Sequence, residues 1–441
     1  MKKNYKNLMD YVLSSPIAFG KGVFLYTKNK QKYIDSTAGM TGSISLGWGN
    51  KIIEKNIIKQ LKKIAHIDYK SFKDENRELL KNLILKNKKN KLNEIFYAGQ
   101  SGAEANEGAM KLSFQYHQAK GRKNKKWFIS RFQSFHGSTS DSISIGDKKN
   151  LNLFKDFYPN FRTKVSEHNV YRHKRSSETE DEYTNRCVDE IKKKIIKIGP
   201  DNICAFVAET VMGGLVGDVP PSKNYWKKIR KLCDIYKIHI ICDEVWCGAG
   251  TTGKNFSIDW DDITPDFVTF GKTLTSGYVP LSVIMTKKEI LAEIKSKFKT
   301  VLLPSSTYQG HSLGVAAGVA SQKIINDNLF HSQTIKKGHY LRKTLNEQLK
   351  DIDFFKNVRG RGMRNSFEFH TSNNDLFSYY IRKHSLNTHN LILNARWHRV
   401  CFSPAINIKK QEIDIIIGKF IKTYKYVVNN WPSLKKNAKY K

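Results

Sequence analysis

The sequence predicts an α/β fold, with a mostly parallel central sheet flanked by helices in a large domain and a smaller α+β domain built from both chain ends. Two observations carry this. Between residues 203 and 272 short β-rich apolar runs alternate with helical periodicity, the pattern of a parallel sheet with crossover helices. Beyond residue 325 the order changes to helix, strand, helix, strand and a closing helix, which reads as a second domain. The expected boundaries are an N-terminal segment over 1–50 that joins the small domain, a large domain over 51–312, and the small domain over 313–441. A chain of 441 residues has the length for both.

In chain order, Gly22 to Asp35 carries two alternating runs split by polar residues and reads as a hairpin in a turn-rich lead-in. Helical spacing recurs from Ile52 to Leu61 and from Asn76 to Leu85. Ile95 to Ala98 is a short strand, broken by Gly99-Gln-Ser-Gly102, and a helix follows with Ala105, Ala109, Leu112 and Tyr116 on one face. Ser101 and Glu104 have the spacing of a capping box. The same glycine turn would also suit a phosphate, because free N–H groups and the positive dipole end meet at a helix start. Taken alone, the stretch supports both readings equally. Trp127 to Ser130 is a strand followed by Phe135-His136-Gly137, and residues 147–190 read as a polar surface excursion.

Three strands then end on chemistry-bearing residues: Ile203 to Ala208 at Glu209, Ile238 to Cys242 at Asp243-Glu244, and Phe267 to Phe270 at Gly271-Lys272. A helix capped by Ser222 is expected between the first two. Ligands of a parallel sheet gather at the carboxyl ends of its strands, where all three fall. A polar loop from Ser305 to His311 precedes a small-residue helix, Leu313 to Ile325. Helices over 334–350, 375–384 and 411–427, with strands at Ser366 to Phe369 and Val400 to Phe402, complete the chain.

Composition sets the broad class. Hydrophobic content of 39% with 26% charged residues suits a globular protein. The formal charge of +36 raises nucleic acid or an anionic membrane as a partner. The lysines run from end to end beside many Asn and Ile, so a general compositional bias explains them, and the basic tail from Lys435 reads as solvated. The six cysteines (Cys187, Cys204, Cys233, Cys242, Cys247, Cys401) lack metal-type spacing, and several sit in apolar runs, which suits a reducing compartment. The first residues resemble a signal n-region, but Ser14, Ser15 and Pro16 interrupt the apolar stretch that should follow. Neither a membrane span nor a metal is expected, and the expected location is cytoplasmic.

A lysine bound to a pyridine aldehyde needs an acid paired with the ring nitrogen, a phosphate cradle, and apolar contacts on the ring faces. Asp243, the helix start at Ser101-Gly102-Ala103, and Phe135 supply those types in order. Here the chain resembles the class III (omega) aminotransferases of pyridoxal-phosphate fold type I. The likeness rests on Ser101-Gly-Ala-Glu-Ala-Asn106, Phe135-His136-Gly137, Asp243-Glu-Val-Trp-Cys-Gly248, Pro265-Asp-Phe-Val-Thr-Phe-Gly-Lys272 with Gly277-Tyr-Val-Pro280, and Thr307-Tyr-Gln-Gly-His311. It runs from about Gly20 through Val358-Arg-Gly360 to Ser403-Pro404.

The resemblance implies pyridoxal 5'-phosphate as cofactor, with Lys272 as the Schiff-base lysine that shuttles the proton and Asp243 on the ring nitrogen. Val245 and Phe135 would cover the two ring faces, and Ser101, Gly102 and Ala103 would form the phosphate cradle. His136 would support the site structurally, and Glu209 matches an acid near the cofactor. Thr307 matches a threonine that reaches the phosphate held by the neighbouring subunit, which implies a homodimer with shared sites. Ala103 stands where a hydroxyl residue is usual, Thr210 replaces a proline, and Thr251 replaces an arginine. The glutamate and arginine that form a substrate switch in the ornithine and 4-aminobutyrate branch are Gly214 and Cys401 here. Arg399, on the same face two residues before Cys401, is the candidate for the substrate's acid group together with Arg396. Trp48 and Trp246 are candidate pocket residues, although core packing would explain each as well.

The expected activity is ping-pong transfer of an amino group from an amine or amino acid to a keto acid, pyruvate or 2-oxoglutarate. The alternatives are an aminomutase of the same fold, of the glutamate-semialdehyde type, and a basic nucleic-acid-binding protein. No nucleic-acid motif supports the latter.

Overall fold

The computed structural model describes residues 13, 15–86, 88–147, 160–302 and 306–438. The first residues of the leader-like stretch with Ser14, residues 148–159 of the 147–190 excursion, Ser305 and the last three residues of the basic tail lie outside them. The chain divides into two compact units, Ile52–Thr334 and Met1–Lys51 with Ile335–Lys441.

The larger unit holds a seven-stranded sheet in the order Glu94–Gly99, Ser282–Thr286, Phe267–Phe270, His239–Asp243, Ile203–Glu209, Trp127–Arg131, Arg162–Val165. The last five pair in parallel, and Ser282–Thr286 is antiparallel to both neighbours. Ile203–Glu209 is buried throughout, as a parallel strand covered on both faces must be. Phe206, Ile240, Val268 and Phe270 belong to the core on one side, and Val207, Ile241 and Phe267 to the core on the other. In register, Glu209 lies opposite Asp243, and Asp243 opposite Thr269. Three polar residues thus stand in a row across a buried sheet.

Three expectations are corrected in this unit. The 147–190 region is not all surface excursion: Arg162–Val165 forms the sheet edge beside Trp127–Arg131, and Glu180–Ile198 is an amphipathic helix with a complete Thr179–Glu182 capping box. Ser222 does not cap the helix Tyr225–Ile235. That helix begins after Asn224 at φ 66°, while the Ser222 hydroxyl bonds His168 Nε2 (2.7 Å) and Thr184 Oγ1 (2.5 Å). The helix Ser312–Ile325 belongs to the larger unit rather than opening the small domain at 313. Its small residues let it approach the helix Glu75–Leu85 so closely that a Cβ on Gly318 would meet Leu80 Cδ2 at 2.9 Å.

In the smaller unit, a four-stranded antiparallel sheet runs Phe355–Arg361, Arg364–Phe369, Arg399–Phe402, Asn394–Arg396. A second sheet joins Ile17–Lys21, Phe24–Thr27 and Lys32–Asp35 to Leu391–Ile392, which brings both chain ends together. The first sheet is strongly two-faced. Phe367 and Phe402 pack on Phe420 of the helix Lys410–Asn429, with ring centroids 5.2 and 5.0 Å apart. By strand alternation the opposite face carries Arg359, Arg364, Ser366, Glu368, Arg396, Arg399 and Cys401. Among the described residues, no helix is long and apolar enough to cross a membrane.

Candidate active site

At the carboxyl end of His239–Asp243 the Asp243 carboxylate is 3% exposed and held by donors from three segments. Oδ2 accepts from His136 Nδ1 (2.7 Å) and Asn106 Nδ2 (2.8 Å), and Oδ1 accepts from the Val245 N–H (2.9 Å). Asn106 also donates to the His136 carbonyl (2.7 Å), and its Oδ1 accepts from Thr269 Oγ1 (2.6 Å). The far imidazole nitrogen of His136, Nε2, is buried with no protein partner. Three donors satisfy this buried carboxylate and fix its direction, as a partner for a ring nitrogen requires.

Beside it, Glu209 is buried and accepts from the Gly213 N–H (3.3 Å). Burial pushes its carboxyl up to about 7. His136 and Arg131 pull it down and the Asp243 charge pushes it up. Arg131, fully buried, donates from Nη2 to the Glu209 carbonyl. The neighbouring Glu244 is pushed by burial up to about 8, although it accepts from the Ser257 (2.6 Å) and Ile258 (2.7 Å) amides.

The helix Gly102–Ala119 starts next to this network. Ser101 and Glu104 complete the capping box: Glu104 Oε2 accepts from the Gln100 and Ser101 amides and the Ser101 hydroxyl, which accepts in turn from the Glu104 N–H. The Ser101 side chain is therefore committed to the helix start. The first helical bond is Ala105 N to Ser101 O (3.3 Å), so the Gly102 and Ala103 N–H groups precede the intrahelical ladder and suit an anion. A Cβ at Gly102 would meet Val245 Cγ2 at 2.5 Å, so only glycine lets that half-buried valine lie against the helix start. Gly137, at φ 142°, similarly leaves room for Ala103. Phe135 is half-buried on the same loop.

Lys272 follows strand Phe267–Phe270 at φ 31°, left-handed backbone that a non-glycine residue adopts only under constraint. Gly277 N–H bonds its carbonyl (3.1 Å) and Thr273 Oγ1 donates to the Gly248 carbonyl (3.2 Å). The Lys272 ammonium lies 5.3 Å from the Trp246 ring centroid. Trp246 is itself fixed, donating from Nε1 to buried Asp218 (2.7 Å) and lying over Gly213.

The family model for class III aminotransferases matches residues 8–424. This chain belongs to the class III aminotransferases. It is 31% identical to gamma aminobutyrate transaminase 2 of Solanum lycopersicum, over 95% of this chain and 93% of that one. Diaminobutyrate–2-oxoglutarate transaminase of Halomonas elongata is 32% identical over 80% of this chain and 76% of its own. Among solved structures, an omega transaminase from Pseudomonas jessenii in complex with PMP superposes with a TM-score of 0.89 at 27% identity, covering 98% of this chain and 96% of that one. As a class III aminotransferase the protein uses pyridoxal 5'-phosphate. The residues present suit that cofactor: a buried, donor-rich carboxylate, an open helix start and a constrained lysine.

The aminotransferase's other candidates take no part in the hydrogen-bond network around Asp243. Thr307 is on an exposed turn, its carbonyl 2.9 Å from His66 Nε2. Trp48, Arg396 and Arg399 belong to the smaller unit. There Trp48 sits over Gly20, whose added Cβ would meet the indole at 2.6 Å. Arg399 is 2% exposed, lies opposite Arg396 in register, and has its guanidinium 4.8 Å from the Trp397 ring. Burial, then the Arg399 charge, lowers the pKa of Arg396. On the same face Arg359 pairs with Glu368, and Arg364 donates to the Gly42 carbonyl (2.8 Å). Gly214 is exposed, and Cys401 accepts from Ser366 Oγ (3.3 Å).

Asn106, Thr269 and Arg131 carry site geometry without having been singled out for it, and Trp246, a pocket candidate, lies beside Lys272. Asn106 stood in the quoted phosphate-loop motif. The signal for the other two was weak: a threonine in an apolar run and an arginine at a strand end.

Proposed function

We propose that this aminotransferase moves an amino group from a donor that carries an acid group to a keto acid, pyruvate or 2-oxoglutarate, by ping-pong chemistry at Lys272. One observation carries the chemical half: the buried Asp243 carboxylate, held by His136, Asn106 and the Val245 amide, in register with the strand that delivers Lys272.

When bound, pyridoxal 5'-phosphate supplies an aldehyde that accepts amino groups and a ring that takes up carbanion charge. The chain's own residues do the rest. Asp243 holds the ring nitrogen in its protonated form, and the Gly102 and Ala103 N–H groups receive the phosphate at the positive end of the helix. Val245 and Phe135 cover the ring faces. Lys272 Nζ takes the proton from the donor's α-carbon and returns it one position along, so its neutral amine is the working form. Ala103 brings no hydroxyl, which leaves the phosphate to backbone donors on this side.

The donor's acid group is assigned to Arg396 and Arg399. Two cations directly opposed across a strand pair repel, and an anion between them relieves that repulsion. Thr307, on its exposed turn, is assigned to the phosphate of a second copy, making the enzyme a homodimer with shared sites. The free, buried cysteines support a cytoplasmic location.

A panel of amine donors with pyruvate and 2-oxoglutarate, followed by the cofactor's absorbance, tests this reading. Turnover is expected only with a keto acid present; turnover without one identifies a mutase instead. Lys272→Ala should lose at least about a hundredfold in kcat, the scale of a missing acid–base group. Full turnover by that variant sinks the assignment.

A further inference from the structure

The Phe267–Phe270 strand that delivers Lys272 also places Thr269 against the site, one strand over from Asp243 and opposite it in register. The Thr269 carbonyl accepts from the Glu244 N–H (2.8 Å), which pins the residue to the chain just beyond Asp243. Its hydroxyl reaches Asn106 Oδ1 at 2.6 Å, and both residues are fully buried. An amide oxygen only accepts, so the hydroxyl proton must point to Asn106. That leaves both amide protons of Asn106 for Asp243 Oδ2 and the His136 carbonyl, at 2.8 and 2.7 Å. If the amide were turned over, its oxygen would face the Asp243 carboxylate and the His136 carbonyl, two pairs of acceptors without a proton between them.

We propose that Thr269 is a positioning residue for amino transfer: its hydroxyl locks the Asn106 amide so that Nδ2 faces Asp243, keeping that carboxylate aimed at the cofactor's ring nitrogen. The inference rests on the reading that the cofactor sits at Asp243 and Lys272. Thr269 acts through Asn106, to which its hydroxyl is committed. Its strand therefore serves the chemistry twice, delivering the lysine at one end and setting the acid's donor from its middle. A valine has the shape of threonine without the proton, and a serine has the proton without the methyl, so the two substitutions separate hydrogen bonding from packing.

The test compares wild type, Thr269→Val and Thr269→Ser as holoenzymes, reading cofactor retention on dialysis, the pH titration of the cofactor's absorbance, and kcat against KM. Loss of one buried donor predicts that Thr269→Val binds the cofactor about tenfold more weakly, shifts the titration by about one pH unit, and lowers kcat more than it changes KM. Thr269→Ser should match wild type in all three. An unchanged titration and retention in Thr269→Val overturns the proposal, as does a Thr269→Ser variant shifted as far as Thr269→Val. If Thr269→Val does not fold, Thr269→Ser decides alone, upholding the proposal by wild-type behaviour and overturning it by loss. A wild-type protein with no cofactor absorbance instead overturns the underlying assignment of the site.

Discussion

Asp243 is a buried carboxyl group met by three donors, whereas the polar sheet face of the smaller unit buries arginines in excess, with Glu368 as the only carboxylate in its strands. A satisfied network has one low-energy arrangement and tolerates little change, which suits chemistry common to a whole family. Buried cations that outnumber the carboxylates of their sheet repel one another, as Arg396 and Arg399 do across their strand pair. Arg399 lies two residues before Cys401 on its strand, and Arg396 lies opposite it on the neighbouring strand.

Three changes test that division. The largest effect is expected from Gly102→Ala, which sets a methyl 2.5 Å from Val245 Cγ2 and must displace it. Cofactor affinity, measured on the apoenzyme, should fall about a hundredfold, the scale of a misplacement of about 1 Å. Adding Val245→Ala should recover part of the loss, and no recovery would deny the steric cause.

Arg399→Leu comes next. The loss of a charge-assisted contact should lower kcat/KM for acid-bearing donors about 10- to 100-fold. An uncharged amine should change by less than about twofold. Equal losses on both donors would mean that Arg399 serves the sheet and not the substrate.

The smallest effect concerns Glu209. Its folded pKa of about 7 lies above its ordinary 4.5, so the folded apoprotein holds that proton more tightly. The associated stabilisation is complete below pH 4.5 and is lost as pH rises to about 7. Glu209→Gln copies the neutral acid and can still accept from Gly213. Its apoprotein should match wild type at low pH and melt about 2–4 °C higher above pH 7, as read by thermal scans across pH. A variant that is less stable at pH 8 would show a carboxylate held ionised by Arg131 and His136.

The parallel strands that end at Glu209, Asp243 and Lys272 were legible because strands buried on both faces read as short apolar runs with a polar residue at the end. The edge strand Arg162–Val165 was not. Arg-Thr-Lys-Val has one apolar residue, and its pairing with Trp127–Arg131 supplies the structure that propensity does not. Ser222 has the chemistry of a cap, but its hydroxyl is taken by His168 and Thr184, the latter 38 positions away in the chain. The helix Ser312–Ile325 announced itself by composition, while the unit it would join depended on which helix its small face met.

Residue order alone determined the class of chemistry here, because Lys272, Asp243 and the Gly102 helix start are each local features whose neighbours in the chain place them at strand and helix ends. Only the tertiary structure decided how Asp243 is held. Asn106 and Thr269 are 163 positions apart, and a hydrogen bond depends on separation in space and direction, which sequence distance does not encode. The same holds for Arg396 and Arg399, whose mutual repulsion arises from pairing across a hairpin.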